Sequence, residues 1–538
     1  MEKNFLKAVV VSALIFILYP VFVKWLYPNA MQKPVATSAS SAATEAPLTP
    51  SQTTYLREAA EATTALFENA LYQIEFSTLG GTVTRLFYKG EPGREAFTKT
   101  EFFNAPERTG GIFAVNLRGE TADLAHTIFK MTRRGEKNET FEFAYELPGQ
   151  YILTKTFTVR DDKPVIDLTV RIKNLSSRER VFPATVTYGM NHEKDYQKNY
   201  GFFDAVAYTE KLYTADLGKL KKKGFAVPEG AVWGGMIKKY FALLVKPDNR
   251  IASGSARADG EVIAGTLDPQ PLTVAPGSEG SQRFLVYAGP QRYETLKSFG
   301  FDFENVFSRG FFGGFKTILL AVLKFFYGFT HNFGWAIVLL TLLIKLVFAP
   351  LTHVSYANMK KMQAIQPKMK ALQEHYKNDP QKQQRELMEL YRRNKVNPVM
   401  GCLPMLIQIP IFIAMFRLLP EAIELHGAPF IGWITDLSAP DRLVTFGQSL
   451  PLLGWNSLNL LPILMAASQV WYQKTIPQQP GSTPEQAAIM NLMPIFFGFI
   501  CYNMPSGLTL YWTLQNLFSI IQQVFINRIA VVLHHEDQ

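Results

Sequence analysis

Residues 333–351 read FGWAIVLLTLLIKLVFAPL, an apolar run interrupted only by Thr341 and Lys345. As a helix this stretch rises about 28 Å, enough to cross a hydrocarbon core of about 30 Å. A lysine in such a span costs roughly 3 kcal/mol or more on insertion scales, so Lys345 is expected to face protein or a water-filled cavity and to mark a working site. Thr341 lies one turn earlier on the same face. The competing reading is that Lys345 snorkels, because it sits about six residues, or ~9 Å, from the end of the span.

Working outward, the 538 residues divide into two kinds of sequence whose average, a mean hydropathy near zero, describes neither. Long apolar runs follow residue 311, and ordinary half-polar sequence fills about 57–300. The net charge of +10 is unevenly placed. The two cysteines, Cys402 and Cys501, both fall in expected spans, which excludes a disulfide framework and metal-ligand spacing. No metal and no cofactor is called for.

The chain opens with a charged MEKNFLK and an apolar run from Ala8 to Val23, followed by Lys24, Trp25 and Tyr27 as interfacial anchors. Without a small-x-small cleavage site before Pro28, residues 1–28 read as an uncleaved transmembrane anchor rather than a signal peptide. Residues 29–56 are rich in Ala, Ser, Thr and Pro and form a flexible linker. Within a domain set at 57–300, the period from Leu71 to about Ala288 is two. Ile166, Leu168, Val170 and Ile172 alternate with Asp167, Thr169, Arg171 and Lys173; a turn at 161–164 precedes them, and another alternating run covers 151–159. Such strands predict an antiparallel sandwich of about 220 residues. It carries no catalytic set: His126 and His192 are isolated, and no nucleophile elbow occurs.

Residues 305–330 hold Phe311, Phe315, Ile318, Val322, Phe325 and Phe329 at helical spacing, with Lys316 and Lys324 off that stripe. This helix either lies in the interface plane or spans, and charge decides between these. The loop 356–397 has ten Lys/Arg against four acids, and the positive-inside rule places it in the cytoplasm only if the Phe-rich helix lies flat. Apolar runs at about 399–419, 458–472, 487–503 and 507–526 complete six spans with both termini cytoplasmic. The loop 420–456 carries Glu421, Glu424, Asp436 and Asp441 against Arg442, as befits the outer side. Two runs are short for a bilayer, and Pro350, Pro404, Pro410, Pro462 and Pro494 interrupt several. Gln408, Ser468, Gln469, Gln515 and Asn516 accompany Lys345, either lining a cavity or hydrogen-bonding between helices.

The loop 356–397 reads as a helical hairpin. Met362, Ile365, Met369, Leu372 and Tyr376 form a seam, Pro367 should kink the first arm, Asn378-Asp379-Pro380 breaks the chain, and Leu387 and Tyr391 return. Its Lys360, Lys361, Lys368, Lys370, Arg392 and Arg393 suit anionic headgroups or ribosomal RNA, or serve topology alone.

The segments LIKLVFAPLT (343–352), IQPKMKALQEHYKNDPQ (365–381), KVNPVMGCLPMLIQIPIF (395–412), FIGWITDLSAPD (430–441) and PSGLTLYWTLQNLFSIIQQ (505–523) resemble, in this order, the YidC / oxidase-assembly / thylakoid-insertase family over roughly 307–529. An N-terminal span followed by a large β domain is similar to the form found in bacteria with two membranes. The resemblance implies a polytopic α-helical membrane protein with a five-helix insertase core (331–529) and a hydrophilic groove, plus an all-β periplasmic super-sandwich. The implied role is a membrane protein insertase and folding chaperone of the bacterial inner membrane. Its implied partners are nascent membrane proteins, the ribosome, the SecYEG translocon with its accessory membrane subunits, and the phospholipid bilayer, with no DNA. Lys345 corresponds to the groove cation, for which many members use Arg. Lysine keeps the charge and loses the planar fork. Tyr511 and Trp512 fall where the family's last span carries aromatics that meet substrate. Met405, Met415, Met490 and Met493 offer adaptable apolar contacts for client helices or simply pack the core. The short tail 530–538 lacks a long basic extension.

A phosphate-cradling loop is absent, since GFFGGFKT at 310–317 lacks the spacing. Nor does any central histidine support an intramembrane hydrolase. The alternative function is a secondary transporter using an intramembrane lysine; internal repeats and coupling carboxylates, which such a transporter usually has, are not evident.

Overall fold

The protein is described by a computed structural model covering residues 62–90, 100–104, 111–120, 122–135, 140–191, 202–446, 456–475 and 484–536; within these, the side chains of 259, 398–399, 401–407, 484–491 and 526–536 are not described. The expected anchor 1–28 and linker 29–56 lie outside these residues, as do His192 and the side chains of Met405 and Met490. The chain forms two units, one reaching Phe307 and the other beginning at Ser308.

The first unit is built from antiparallel strands. Its largest sheet orders Leu212–Asp216, Phe203–Tyr208, Trp233–Lys238, Phe241–Pro247, Glu279–Pro290, Val165–Asn174, Tyr151–Val159, Thr140–Leu147 and Lys130–Arg134 from edge to edge. The period-two reading of 151–159 and 165–174 holds residue by residue. Tyr151 pairs with Asn174 and Val159 with Ile166, and alternate side chains of the first strand are buried. A four-stranded sheet, Thr64–Glu68 to Thr100–Asn104, lays Phe76 on Phe141 of the large sheet with ring centroids 4.3 Å apart.

One inward position of that strand is a lysine. Lys155 is fully buried, and its Nζ donates to the carbonyls of Gly80 (2.9 Å), Gly81 (2.5 Å) and Phe113 (2.6 Å), satisfying all three of its N–H groups. Gly80 and Gly81 have φ of 65° and 54°, the left-handed region that glycine adopts without strain. Burial pushes the Lys155 ammonium well below its ordinary pKa.

The second unit is helical: α1 Gly313–Thr330, α2 Phe333–Ala364, α3 Gln366–His375, α4 Pro380–Arg393, α5 Pro398–Glu421, α6 Leu460–Thr475, α7 Pro484–Ile500 and α8 Ser506–Glu536. Among the described residues, α2 is long and apolar enough to cross a membrane by length and composition. At 16 and 17 residues, α6 and α7 rise only about 24–26 Å.

Two boundaries differ from the sequence reading. α2 does not end near residue 351 but runs through Pro350 to Ala364, and the break falls at Ile365, with Pro367 in the first turn of α3. Proline at that place costs no helix bond, because the first N–H groups of a helix are unpaired anyway. Pro367 thus interrupts the first arm as expected, the helix breaking at Ile365 and restarting with the proline in its first turn. At the other end, α8 continues to Glu536, so the expected tail 530–538 is helical as far as it is described.

The hairpin packs by its predicted seam. Ile365, Met369 and Val396 are buried, with Met362, Leu387, Leu390 and Tyr391 against them. Asp379 caps α4 by accepting from the Lys382 N–H at 3.1 Å.

Helix α1 is inside-out relative to a soluble helix. Its Phe315, Ile318, Phe325 and Phe329, and Phe311 just before it, are exposed, while Lys316 is buried with Leu319, Leu320 and Leu323 on the face that meets α2 and α5. Lys316 Nζ lies 2.5 Å from Glu421, which also pairs with Arg309 at 3.2 Å; Lys324 lies 3.0 Å from Glu424. The acids that the sequence suggested only as markers of the outer side therefore have structural partners. Asp436 accepts from the Gly427 and Ser438 N–H groups, and Asp441 from the Trp433 ring and the Leu461 N–H at the start of α6.

Candidate functional site: a polar stripe facing Lys345

Packing along α2 changes at Lys345. Before it, Phe333, Ala336, Ile337, Leu340, Thr341 and Ile344 are buried at spacings of three and four, the seam of a helix packed in a bundle. From 345 to 354 no residue is fully buried, and Leu346, Val347 and Val354 are exposed. Burial resumes at Ser355, whose hydroxyl donates to the Met400 carbonyl at 2.6 Å, and at Tyr356, whose hydroxyl lies 3.2 Å from that of Tyr472. The helix thus has ten residues of which none is fully buried between two packed ends, and Lys345 stands where that less covered stretch begins.

Across from that stretch, α8 presents a polar stripe. Gln515, Ser519, Gln522 and Gln523 recur at i, i+4, i+7 and i+8 and so share one face. Lys345 Nζ donates to the Ser519 hydroxyl at 2.6 Å. A snorkelling lysine would reach along its helix toward the interface; this one reaches sideways to a neighbouring helix. Among the described residues its ammonium has this single hydrogen bond and no carboxylate partner. The side-chain oxygens of Gln515 and Gln522 are buried without a hydrogen-bond partner among the described residues. Acceptors left so in a protein interior cost free energy unless water or another donor reaches them.

The other polar residues singled out in the sequence tie helices together instead of facing Lys345. Gln408 of α5 donates to the Tyr511 hydroxyl at 3.0 Å. Asn516 donates to Ser468 at 2.9 Å, and Ser468 to the Met465 carbonyl. Gln469 accepts from the Trp512 ring N–H at 3.2 Å, and Trp512 packs on Phe412 and Phe497. Of the two readings left open for Gln408, Ser468, Gln469 and Asn516, interhelical bonding is the one the geometry carries. Thr341 is buried, and its hydroxyl donates to Ile337 of its own helix, so it does not join Lys345. Met415 is fully buried within the bundle and unavailable to a client in this arrangement, whereas Met493 is exposed. Of the hairpin cations, Lys360 and Lys361 sit on the last turns of α2, Lys368 and Lys370 on α3, and Arg392 and Arg393 on α4. Sequence reading missed Ser519, Gln522 and Gln523; extending the i, i+4, i+7 spacing from Gln515 finds them.

Comparisons with known proteins agree over both units. A family model described as "60Kd inner membrane protein" matches residues 325–532, and one described as "YidC periplasmic domain" matches residues 65–322. The membrane protein insertase YidC of Geobacter sulfurreducens is 33% identical over 467 residues, 85% of each chain. That of Geobacter metallireducens is 32% identical over 552 residues, 98% of each. A crystal structure of an active YidC insertase with its first transmembrane domain resolved aligns over 95% of this chain and 98% of its own, at 20% identity and a TM-score of 0.35. By identity and coverage, the chain belongs to the YidC family of membrane protein insertases.

Proposed function

We propose that this insertase receives the polar, often acidic, N-terminal segment of a nascent membrane protein in a hydrated groove between α2 and α8, with Lys345 as the attracting charge. The observation that carries this reading is the Lys345 ammonium held by a neutral hydroxyl, with no carboxylate partner among the described residues. Drawing an acidic segment to a cation in a wet pocket lowers the desolvation cost of carrying it across the bilayer. The apolar helix behind it leaves along α5 and α7, whose exposed Ile409, Leu492, Ile495, Phe496 and Phe499 suit a lipid-like path. The work is binding without bond chemistry.

In this reading the protein is a multi-pass protein of the bacterial inner membrane with six spans and both termini cytoplasmic. Its β domain (57–300) is periplasmic, α1 lies flat in the outer interface with its phenylalanine stripe in lipid, and the hairpin 356–397 is cytoplasmic. The short α6 and α7 favour a locally thinned bilayer. The basic hairpin meets the ribosome or anionic headgroups, and the protein acts alone or with the SecYEG translocon.

The test is site-directed photocrosslinking of stalled nascent chains. Probes at Gln515 and Gln522 are expected to capture the client's N-terminal segment, and probes at Phe496 its apolar helix. Capture from the α1 stripe at Phe325 and none from Gln515 or Gln522 would refute the groove.

A further inference from the structure

Ser519 is fixed on both sides. It is 4% exposed, its oxygen accepts from Lys345 Nζ at 2.6 Å, and its own proton goes to the Gln515 carbonyl at 2.7 Å, one turn back on α8. A hydroxyl that has given its proton to its own helix can only accept from the groove, so Ser519 is a neutral, preoriented acceptor for a cation. This is weaker than a carboxylate, whose full charge attracts an ammonium strongly in a poorly hydrated setting. It is also stronger than an apolar wall, against which the ammonium would have no fixed place.

We propose that Ser519 is the resting dock of Lys345 and sets the insertase's preference for acidic clients: it holds the ammonium against α8 while the groove is empty and yields it to a client carboxylate. The proposal rests on the reading of Lys345 given above. Its substrate class is the carboxylate of an acidic translocated segment, which competes with the hydroxyl for the same ammonium. A client without acids leaves the Lys345–Ser519 bond in place. Two consequences separate this role from a structural one. A carboxylate at 519 should occupy the ammonium permanently, so clients with acidic tails lose their advantage although Lys345 is intact. Removing the hydroxyl should remove the competitor, so the preference for acidic tails rises.

The experiment uses the full-length protein in vesicles at matched levels, with one single-span client bearing two acidic residues in its translocated tail and the same client with the amides in their place. Protease protection measures the insertion of each. Ser519→Thr keeps the acceptor and is expected to match wild type for both clients. Ser519→Asp should lower the acidic-to-neutral insertion ratio about tenfold, toward that of Lys345→Ala. Ser519→Ala should raise the acidic-to-neutral ratio about two- to tenfold, within what one hydrogen bond to a charged group is worth. An acidic-to-neutral ratio for Ser519→Ala at or below wild type would overturn the proposal even if the aspartate variant fails to fold. So would a Ser519→Asp protein that inserts both clients as wild type does. If Lys345→Ala itself inserts both clients normally, the groove reading fails and the dock with it; if only the Ser519 variants depart from expectation, the groove stands and the dock falls.

Discussion

Replacing Glu421 by Ala isolates the contact that turns α1 inside-out. Glu421 neutralises two cations at once, Lys316 at 2.5 Å and Arg309 at 3.2 Å, and the Lys316 side chain is 3% exposed against 17% for Glu421. Removing one member of a buried pair leaves the other charge without compensation and costs about 3–5 kcal/mol, more than the pair itself contributes. With Arg309 able to reach solvent more easily than Lys316, Glu421→Ala should destabilise the helical unit by about 3 kcal/mol. Most of that comes from buried Lys316 losing its Glu421 partner, so Lys316→Met in the same chain should restore about half or more of it. Glu424→Ala should cost less, about 1 kcal/mol, because its partner Lys324 is 28% exposed and turns to solvent once released. The assay is thermal unfolding of detergent-purified protein followed by size-exclusion recovery, with wild type, Glu421→Ala, Lys316→Met, the double variant and Glu424→Ala side by side. A double variant no more stable than Glu421→Ala would refute the buried-charge reasoning, as would a larger loss at Glu424 than at Glu421.

In the β domain, Lys155→Met leaves the carbonyls of Gly80, Gly81 and Phe113 without their donor. At about 1–3 kcal/mol for each buried polar group, partly relieved by relaxation, the domain should lose roughly 3 kcal/mol or more, read as a lowered midpoint of its β-sheet circular dichroism; an unchanged midpoint would remove Lys155 as a tie between the sheets. Exchanging Lys360, Lys361, Lys368 and Lys370 for Gln should weaken association with ribosomes or anionic vesicles more at low salt than at physiological ionic strength, where charges are screened within about 8 Å. Unchanged binding would leave those charges a topological role. Cysteines placed in the β domain should react with an impermeant thiol reagent added to spheroplasts, and one at residue 379 should not; labelling at 379 would sink the six-span orientation.

Much of this was legible in the sequence because the physics is local. Period-two alternation fixed the strands 151–159 and 165–174, and the hairpin seam followed from Met362, Ile365 and Met369, since both patterns are consequences of burying one face. Other features depend on partners distant in sequence. Lys155 keeps the strand's alternation but sits on the buried side, and only three carbonyls from two other segments make that tolerable. Lys316 and Lys324 read as a polar edge because sequence does not say which face of α1 meets protein; Glu421 and Glu424, about a hundred residues later, supply the answer. For the site, a charge in an apolar span identified Lys345. Its partner Ser519 went unremarked, because a serine in a helix carries no signal until the facing cation is known. The polar residues nearer in kind, Gln408, Ser468, Gln469 and Asn516, proved to join helices instead.

In the proposed groove, a positive charge at 345 attracts acidic client segments. The most direct measurement of that attraction is protease protection of an acidic-tailed and a neutral-tailed single-span client in vesicles carrying Lys345, Lys345→Arg, Lys345→Ala or Lys345→Glu at equal protein levels. Arginine should support insertion, alanine impair it and glutamate be worst, with the neutral-tailed client affected least. Equal insertion of both clients by wild type and Lys345→Glu would contradict the attraction.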